Sequence, residues 1–179
     1  AENEADLNNE YGIRLISSGY NLVLRNHFCN MPSGSGISLE NSYGNNFTGN
    51  EVSANFDQGI RLQNSSRNIF KDNTICENPA AVVISKSSDG NLIIGNLVST
   101  NDEGILLQGV RDNILQENTI LKIAGCGVYL NSSENSSLIG NNISNCQDGI
   151  LLEHSVANTI FANQVRYAKN GIRVHSSSS

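Results

Sequence analysis

Three residues at alternate positions, His27, Cys29 and Met31, carry an imidazole, a thiol and a thioether. Together these are the donors that soft copper prefers. On a continuing strand alternate side chains share one face about 6–7 Å apart, so the three are candidate metal ligands, with Pro32 closing the segment directly behind them. A second chemistry lies in Asp57, Asp102, Glu103 and Asp148, each one or two residues before a recurring glycine. Paired carboxylates cleave glycosidic bonds by acid and base catalysis, and acidic clusters hold calcium. Only Asp102 and Glu103 are adjacent, however, and no repeat supplies an acidic pair together with a basic residue in a lyase-like arrangement. A third set is suited to binding. Arg61 near Glu40 and Gln63, and Tyr129 near Gln108 and Asn131, with Glu153 elsewhere on the same face, offer groups that hydrogen-bond sugar hydroxyls and carboxylates.

All of these residues sit on one periodic scaffold. A glycine returns at Gly12, Gly36, Gly59, Gly104, Gly127, Gly149 and Gly171, with Ala81 standing in once, at spacings of 22 to 24 residues. So short a period is the signature of a solenoid. The position after each glycine is Ile13, Ile37, Ile60, Val82, Ile105, Val128, Ile150 and Ile172, and two residues on it is Leu15, Leu39, Leu62, Ile84, Leu107, Leu130, Leu152 and Val174. Alternation of this kind marks a strand with one buried face. A second strand follows with Val23, Phe47, Phe70, Ile93, Leu115, Leu138 and Ile160 inward, and a third with Phe28, Val52, Ile75, Val98, Ile120, Ile143 and Val165. No segment sustains helical periodicity, and turn residues interrupt the chain every few positions.

These patterns predict an all-β fold, a right-handed, single-stranded parallel β-helix of about 7–8 coils over residues 12–175. Residues 1–11 read as a partial coil or cap, and Ser176 to Ser179 as a disordered tail. Two asparagine columns accompany the strands, Asn21, Asn45, Asn68, Asn91, Asn113 and Asn158 (with Ser136 in the sixth place), and Asn26, Asn50, Asn73, Asn96, Asn118, Asn141 and Asn163. Coils stacked about 4.8 Å apart bring such amides into hydrogen-bonding range. Asparagine and glycine are both expected to supply left-handed backbone at the corners.

On the second strand the outward positions include Leu22, Leu24, Ile69, Leu92, Ile94, Ile114, Ile139 and Phe161. They form an expected apolar stripe for a second copy or a neighbouring domain. The net charge of −6 over 179 residues, with 16% charged residues, argues against a nucleic-acid surface. No run is long enough for a transmembrane segment. Asparagine is abundant at 28 residues, and sequons at Asn46, Asn64, Asn131, Asn135 and Asn142 are compatible with an exported chain. Cys29, Cys76, Cys126 and Cys146 lack zinc-type spacing and are expected as free thiols.

The run Gly-Ile-x-Leu-x-x-Ser-x-x-Asn-x-Ile-x-x-Asn-x-Ile, seen closely at Gly149 through Val165 and Gly59 through Ile75, resembles the repeats of NosD-like proteins and of carbohydrate-binding and sugar-hydrolase (CASH) domains. The resemblance implies an extracellular, cell-surface or periplasmic β-helix. Three roles occur on such coils: binding a polysaccharide or surface glycan without catalysis, acting as part of a lyase, hydrolase or epimerase, and handling copper. The first is the expected role, with no cofactor required.

Overall fold

The computed structural model describes residues 2–177, and among them the regular structure is all strand. Each coil carries three strands, and each strand pairs in parallel with its counterpart one coil away. On the first side, Ile13 pairs with Ile37, Ile37 with Ile60, Ile60 with Val82, Val82 with Ile105, Ile105 with Val128, Val128 with Ile150, and Ile150 with Ile172. This is the register that the sequence periodicity predicts. The second side is a seven-stranded sheet from Leu22–Leu24 to Thr159–Phe161. The first and third sides merge into one 14-stranded sheet, because Asn142–Glu153 and Gln164–His175 run from one side into the other without a break. Glu4–Asp6 belongs to the third side and pairs with His27–Cys29. Ser176 and Ser177 are described, and Ser177 Oγ accepts the Ser155 N–H at 3.0 Å; Ser178 and Ser179 lie outside the described residues.

Alternation fills the core as expected. Ile60, Leu62, Phe70 and Ile75 of one coil are fully buried, as are Ile105, Leu107, Leu115 and Ile120 two coils later. In-register stacking places like on like. The Phe47 and Phe70 rings are stacked at 4.9 Å between centroids, close to the spacing of paired strands.

Both asparagine columns are continuous hydrogen-bonded ladders. Asn50 donates its backbone N–H and its side-chain amide to Asn73 Oδ1, at 2.9 and 3.0 Å. Asn73 does the same to Asn96 and also donates to Phe47 O. Where Ser136 replaces asparagine, its Oγ still accepts the Asn113 N–H. The second column extends back to Asn3. Two further ladders escape the sequence reading. Asn55, Asn78 and Asn101 form one, and Ser42, Ser65 and Ser88, continued by Ser133 and Ser155, form the other. The shorter runs and the apolar interruptions at Val110, Ile123 and Cys146 hide these columns in the sequence.

The corner chemistry differs from expectation. The ladder asparagines are not left-handed themselves; the residue before each one is. In one coil Asn41, Gly44, Gly49 and Ala54 have φ of 49°, 64°, 65° and 53°, immediately before Ser42, Asn45, Asn50 and Asn55. The left-handed residue reverses the chain, and the next side chain then points inward to meet its equivalent in the following coil. The repeat glycines are not left-handed either. They are needed for space: a Cβ on Gly36 would lie 2.5 Å from Val52 Cγ1, and one on Gly149 would lie 2.3 Å from Val165 Cγ1.

Candidate functional site

With the inward positions committed to core and ladders, outward side chains must carry any chemistry. The metal candidates do not share a face. His27 is exposed, with Nδ1 3.2 Å from Glu51 Oε2, and Cys29 accepts a hydrogen bond from Ser53 Oγ at 3.1 Å. Asn30, at φ 58°, then turns the chain, and Met31 enters the core fully buried. Met31 occupies the end of the third asparagine ladder, where its N–H donates to Asn55 Oδ1. The alternation rule fails here because the strand ends at Cys29, before the thioether. Among the described residues no three or more His, Cys, Asp or Glu side chains form a metal-binding group. His154 and His175, on neighbouring coils, approach one another: their rings meet edge to face with centroids 6.3 Å apart. All four cysteines are free.

The corner carboxylates are largely engaged. Asp57 accepts from the Gln58 amide, and Glu103 Oε2 accepts the Cys126 N–H at 2.8 Å. Asp148 is 2% exposed, 3.0 Å from Arg173 Nη2, and accepts from Asn170 Nδ2 at 2.6 Å. The Cys126 thiol lies 3.9 Å from Asp148 Oδ2. Burial first, then Glu103 and Asp148, push this thiol up to about 12. The Asp148–Arg173 pair was missed in the sequence because its partners lie 25 positions apart, on different columns of neighbouring coils.

The outer face of the first sheet gathers the binding candidates. One column runs Arg14, Ser38, Arg61, Val83, Leu106, Tyr129, Leu151 and Arg173, and a second runs Ile16, Glu40, Gln63, Ser85, Gln108, Asn131, Glu153 and His175. Glu40 pairs with Arg14, whose Nη2 is 3.0 Å from both carboxylate oxygens. Arg61 forms no ion pair with a described residue. A shallow groove on this face is lined by Asp57, Gln58, Arg61, Gln63, Val83, Ser85, Lys86 and Gln108, and Lys86 Nζ donates to Gln63 Oε1. Gln108 is exposed in this groove, while Asn131 and Glu153 continue its column over the next two coils.

Tyr129 donates its hydroxyl to Glu153 Oε2 at 2.5 Å. That hydrogen bond, with burial second, pushes the phenol up to about 12. Its contribution to stability is therefore complete below about pH 10 and is lost as pH rises through about 12. Replacing Glu153 with alanine is expected to bring one of the five tyrosines back toward about pH 10. Ultraviolet titration would read this, and an unchanged last-titrating phenol would refute the assignment.

The apolar stripe of the second sheet is outward but broken. Ile69, Leu92 and Ile114 adjoin in one column, and Ile94 lies beside Leu92 on the other. Ile139 and Phe161 form a second patch, and Leu22 and Leu24 a third; Asn46, Thr48, Lys71, Gln116 and Ser137 stand between them. Leu22 and Phe161, in the terminal coils, are 63% and 65% exposed, against 39% for Ile114.

Two family descriptions match the sequence, "Right handed beta helix region" over residues 1–107 and "Periplasmic copper-binding protein (NosD)" over residues 77–179. No curated protein matches it. Among solved structures, the periplasmic alginate epimerase AlgG superposes with a TM-score of 0.78 at 18% identity, over 94% of this chain and 47% of that one. An alginate lyase from Paenibacillus sp. str. FPU-7 gives 0.70 at 14%, over 97% and 78%. PfbA, a surface adhesin of Streptococcus pneumoniae, gives 0.70 at 14%, over 85% and 44%. The chain thus spans less than half the length of AlgG. At these identities the likeness is one of fold.

Proposed function

The chain belongs to the right-handed β-helix and NosD families, and from that premise we propose that it binds polysaccharide without cleaving it, in the periplasm or at the cell surface. The observation that carries this reading is the groove on the first sheet, where Arg61, Gln63, Lys86 and Gln108 converge on successive coils. Polar side chains repeated at the strand spacing suit a polymer whose own groups repeat. The alginate epimerase, the alginate lyase and the surface adhesin show the same architecture serving carbohydrate chemistry and surface attachment in other proteins. Two groups that could react, the Cys126 thiol and the Tyr129 phenol, are held in their neutral forms near neutral pH. A thiol at about 12 is not a ready nucleophile, and a phenol at about 12 is not a ready base near neutral pH.

Among the described residues, the copper named in the NosD description finds no fitting donor set. Met31 is on the opposite side of the wall from His27 and Cys29, and the His154–His175 pair has no third His, Cys, Asp or Glu donor among the described residues. A role for the second sheet in packing against another copy or domain rests on the central Ile69, Leu92, Ile94 and Ile114 patch.

Affinity electrophoresis against neutral and acidic polysaccharides tests the binding reading. Retardation by at least one polymer is expected, weakened about tenfold by joint Gln63→Ala and Gln108→Ala substitution, since each removes hydrogen bonds of about 0.5–1.5 kcal/mol. Unsaturated or shortened products would favour an enzyme instead, and no retardation by any polymer would remove the proposal.

A further inference from the structure

Exposed charges frame the central apolar patch of the second sheet. In the coil of Ile69 the corner before the strand holds Arg67, and Lys71 and Asp72 close its other side, a net charge of +1. Two coils on, the matching corners hold Asp112 and Glu117 on either side of Ile114–Gln116, a net charge of −2. Arg67, Asp112 and Glu117 make no ion pair among the described residues, Lys71 only approaches Asp72 at 3.9 Å, and Arg111 is taken by Glu134. The coil between them, with Leu92 and Ile94, has Gly90 and Gly95 at the same two corners. No side chain rises there beside the apolar residues. The patch is thus cationic at one end, anionic at the other and level in the middle.

Polarity along this face also reads the same from both ends. Its first outward column runs Asn46, Ile69, Leu92, Ile114 and Ser137 in paired register. A two-fold axis over the middle strand and parallel to it sets two copies face to face with their rods antiparallel. Leu92 and Ile94 then meet their own counterparts, Ile69 meets Ile114, and Asn46 meets Ser137. At the corners Arg67 faces Asp112, and Lys71 comes opposite Gln116, beside Glu117. Each contact occurs twice, as a two-fold interface requires. The other face-to-face two-fold, with its axis along the rod, sets Asp112 against Glu117, and like charges there repel. Charge selects the antiparallel arrangement.

We propose that the second sheet is the interface of a two-fold dimer of this chain, centred on Leu92 and Ile94 and oriented by the Arg67–Asp112 pair. The inference rests on the packing role of this sheet, to which it gives a partner and a geometry. It stands apart from polysaccharide binding, which belongs to the first sheet. Packed sheets lie about 10 Å apart, and strands of three residues offer a narrow contact. The dimer therefore belongs with the small interfaces, and a dissociation constant on the order of micromolar is expected.

Sedimentation equilibrium from about 5 to 500 µM at low salt reads the association, and a shift from monomer to dimer is expected across that range. Arg67→Glu and Asp112→Arg should each weaken it at least about tenfold, because each turns two attractive contacts into two repulsive ones. Both positions are exposed and share one left-handed corner column, at φ 56° and 57°, so either charge fits there and circular dichroism should match the unaltered chain. Mixed in equal amounts, the two variants should recover the original affinity. In the mixed pair the changed residues face each other, and the second corner contact is the native one. Ile94→Asp should abolish association alone and in any mixture. A chain that stays monomeric to about 500 µM would overturn the dimer and leave the first-sheet groove untouched. Association indifferent to both charge reversals would place the contact elsewhere, and a mixture no tighter than its components would rule out the two-fold pairing.

Discussion

Leucine in place of Asn73 is expected to destabilise the protein by about 3–5 kcal/mol, a large effect for one side chain of nearly equal size. Asn73 is 1% exposed and acts in both directions along the rod. Its Oδ1 accepts two donors from Asn50, and its amide donates to Phe47 O and to Asn96 Oδ1. Leucine fills the space but leaves these groups without their partner, at about 1–3 kcal/mol for each one that finds no other. The gain in apolar character does not compensate, because the ladder lies where backbone groups of two coils converge. Serine should cost much less. At Ser136 its Oγ already accepts the backbone N–H of Asn113 in its column, at 3.2 Å. Chemical denaturation followed by circular dichroism would give both values; a loss below about 1 kcal/mol for the leucine variant would show that the ladder is incidental.

The second large effect concerns Gly104. Alanine there is expected to cost about 2–4 kcal/mol, although its φ is not left-handed. The added Cβ would sit 2.0 Å from Gly127 O, a backbone atom in the next coil that no rotamer change can move. Two other glycines separate space from conformation. Gly109, at φ 62° with no atom within 4 Å of its virtual Cβ, should cost only about 1–2 kcal/mol as alanine. Gly171, with open space and no left-handed backbone, should tolerate the change. Melting of the three variants gives the ranking. Equal losses at Gly104 and Gly109 would mean that conformation, not clearance, governs the column.

The fold was legible because its determinants are local and periodic. Ile60 and Leu62 repeat as Val82 and Ile84 at a fixed offset, and that offset is the strand register. The corner geometry was not legible. The left-handed position just before each ladder residue holds Arg25, Gly49, Asp72, Gly95, Glu117 and Gly140 in successive coils. No residue preference marks such a column, because the ladder beside it imposes the backbone. Met31 misled for a related reason: alternation holds only while the strand continues, and the turn at Asn30 reversed its direction.

The binding face was half legible. Arg61, Gln63, Gln108, Tyr129, Asn131 and Glu153 fall on the outward columns that alternation assigns them. Which of them are already spent on partners within the protein required the pairing across coils. Arg14 captures Glu40, Glu153 captures the Tyr129 hydroxyl, and Ser38 is left with nothing.

The spacing of the ladder bonds has a consequence for how such a surface can change. The ladder hydrogen bonds that cross between coils join residues 22 to 27 positions apart, in adjoining coils. Perturbations should therefore die out within a neighbour or two, as in other one-dimensional assemblies. Arg61 and Arg173, five coils apart in one column, can then mutate as separate characters. A lineage could rewrite the specificity of one stretch of the face while the rest keeps its old chemistry, much as single letters are replaced in a line of type.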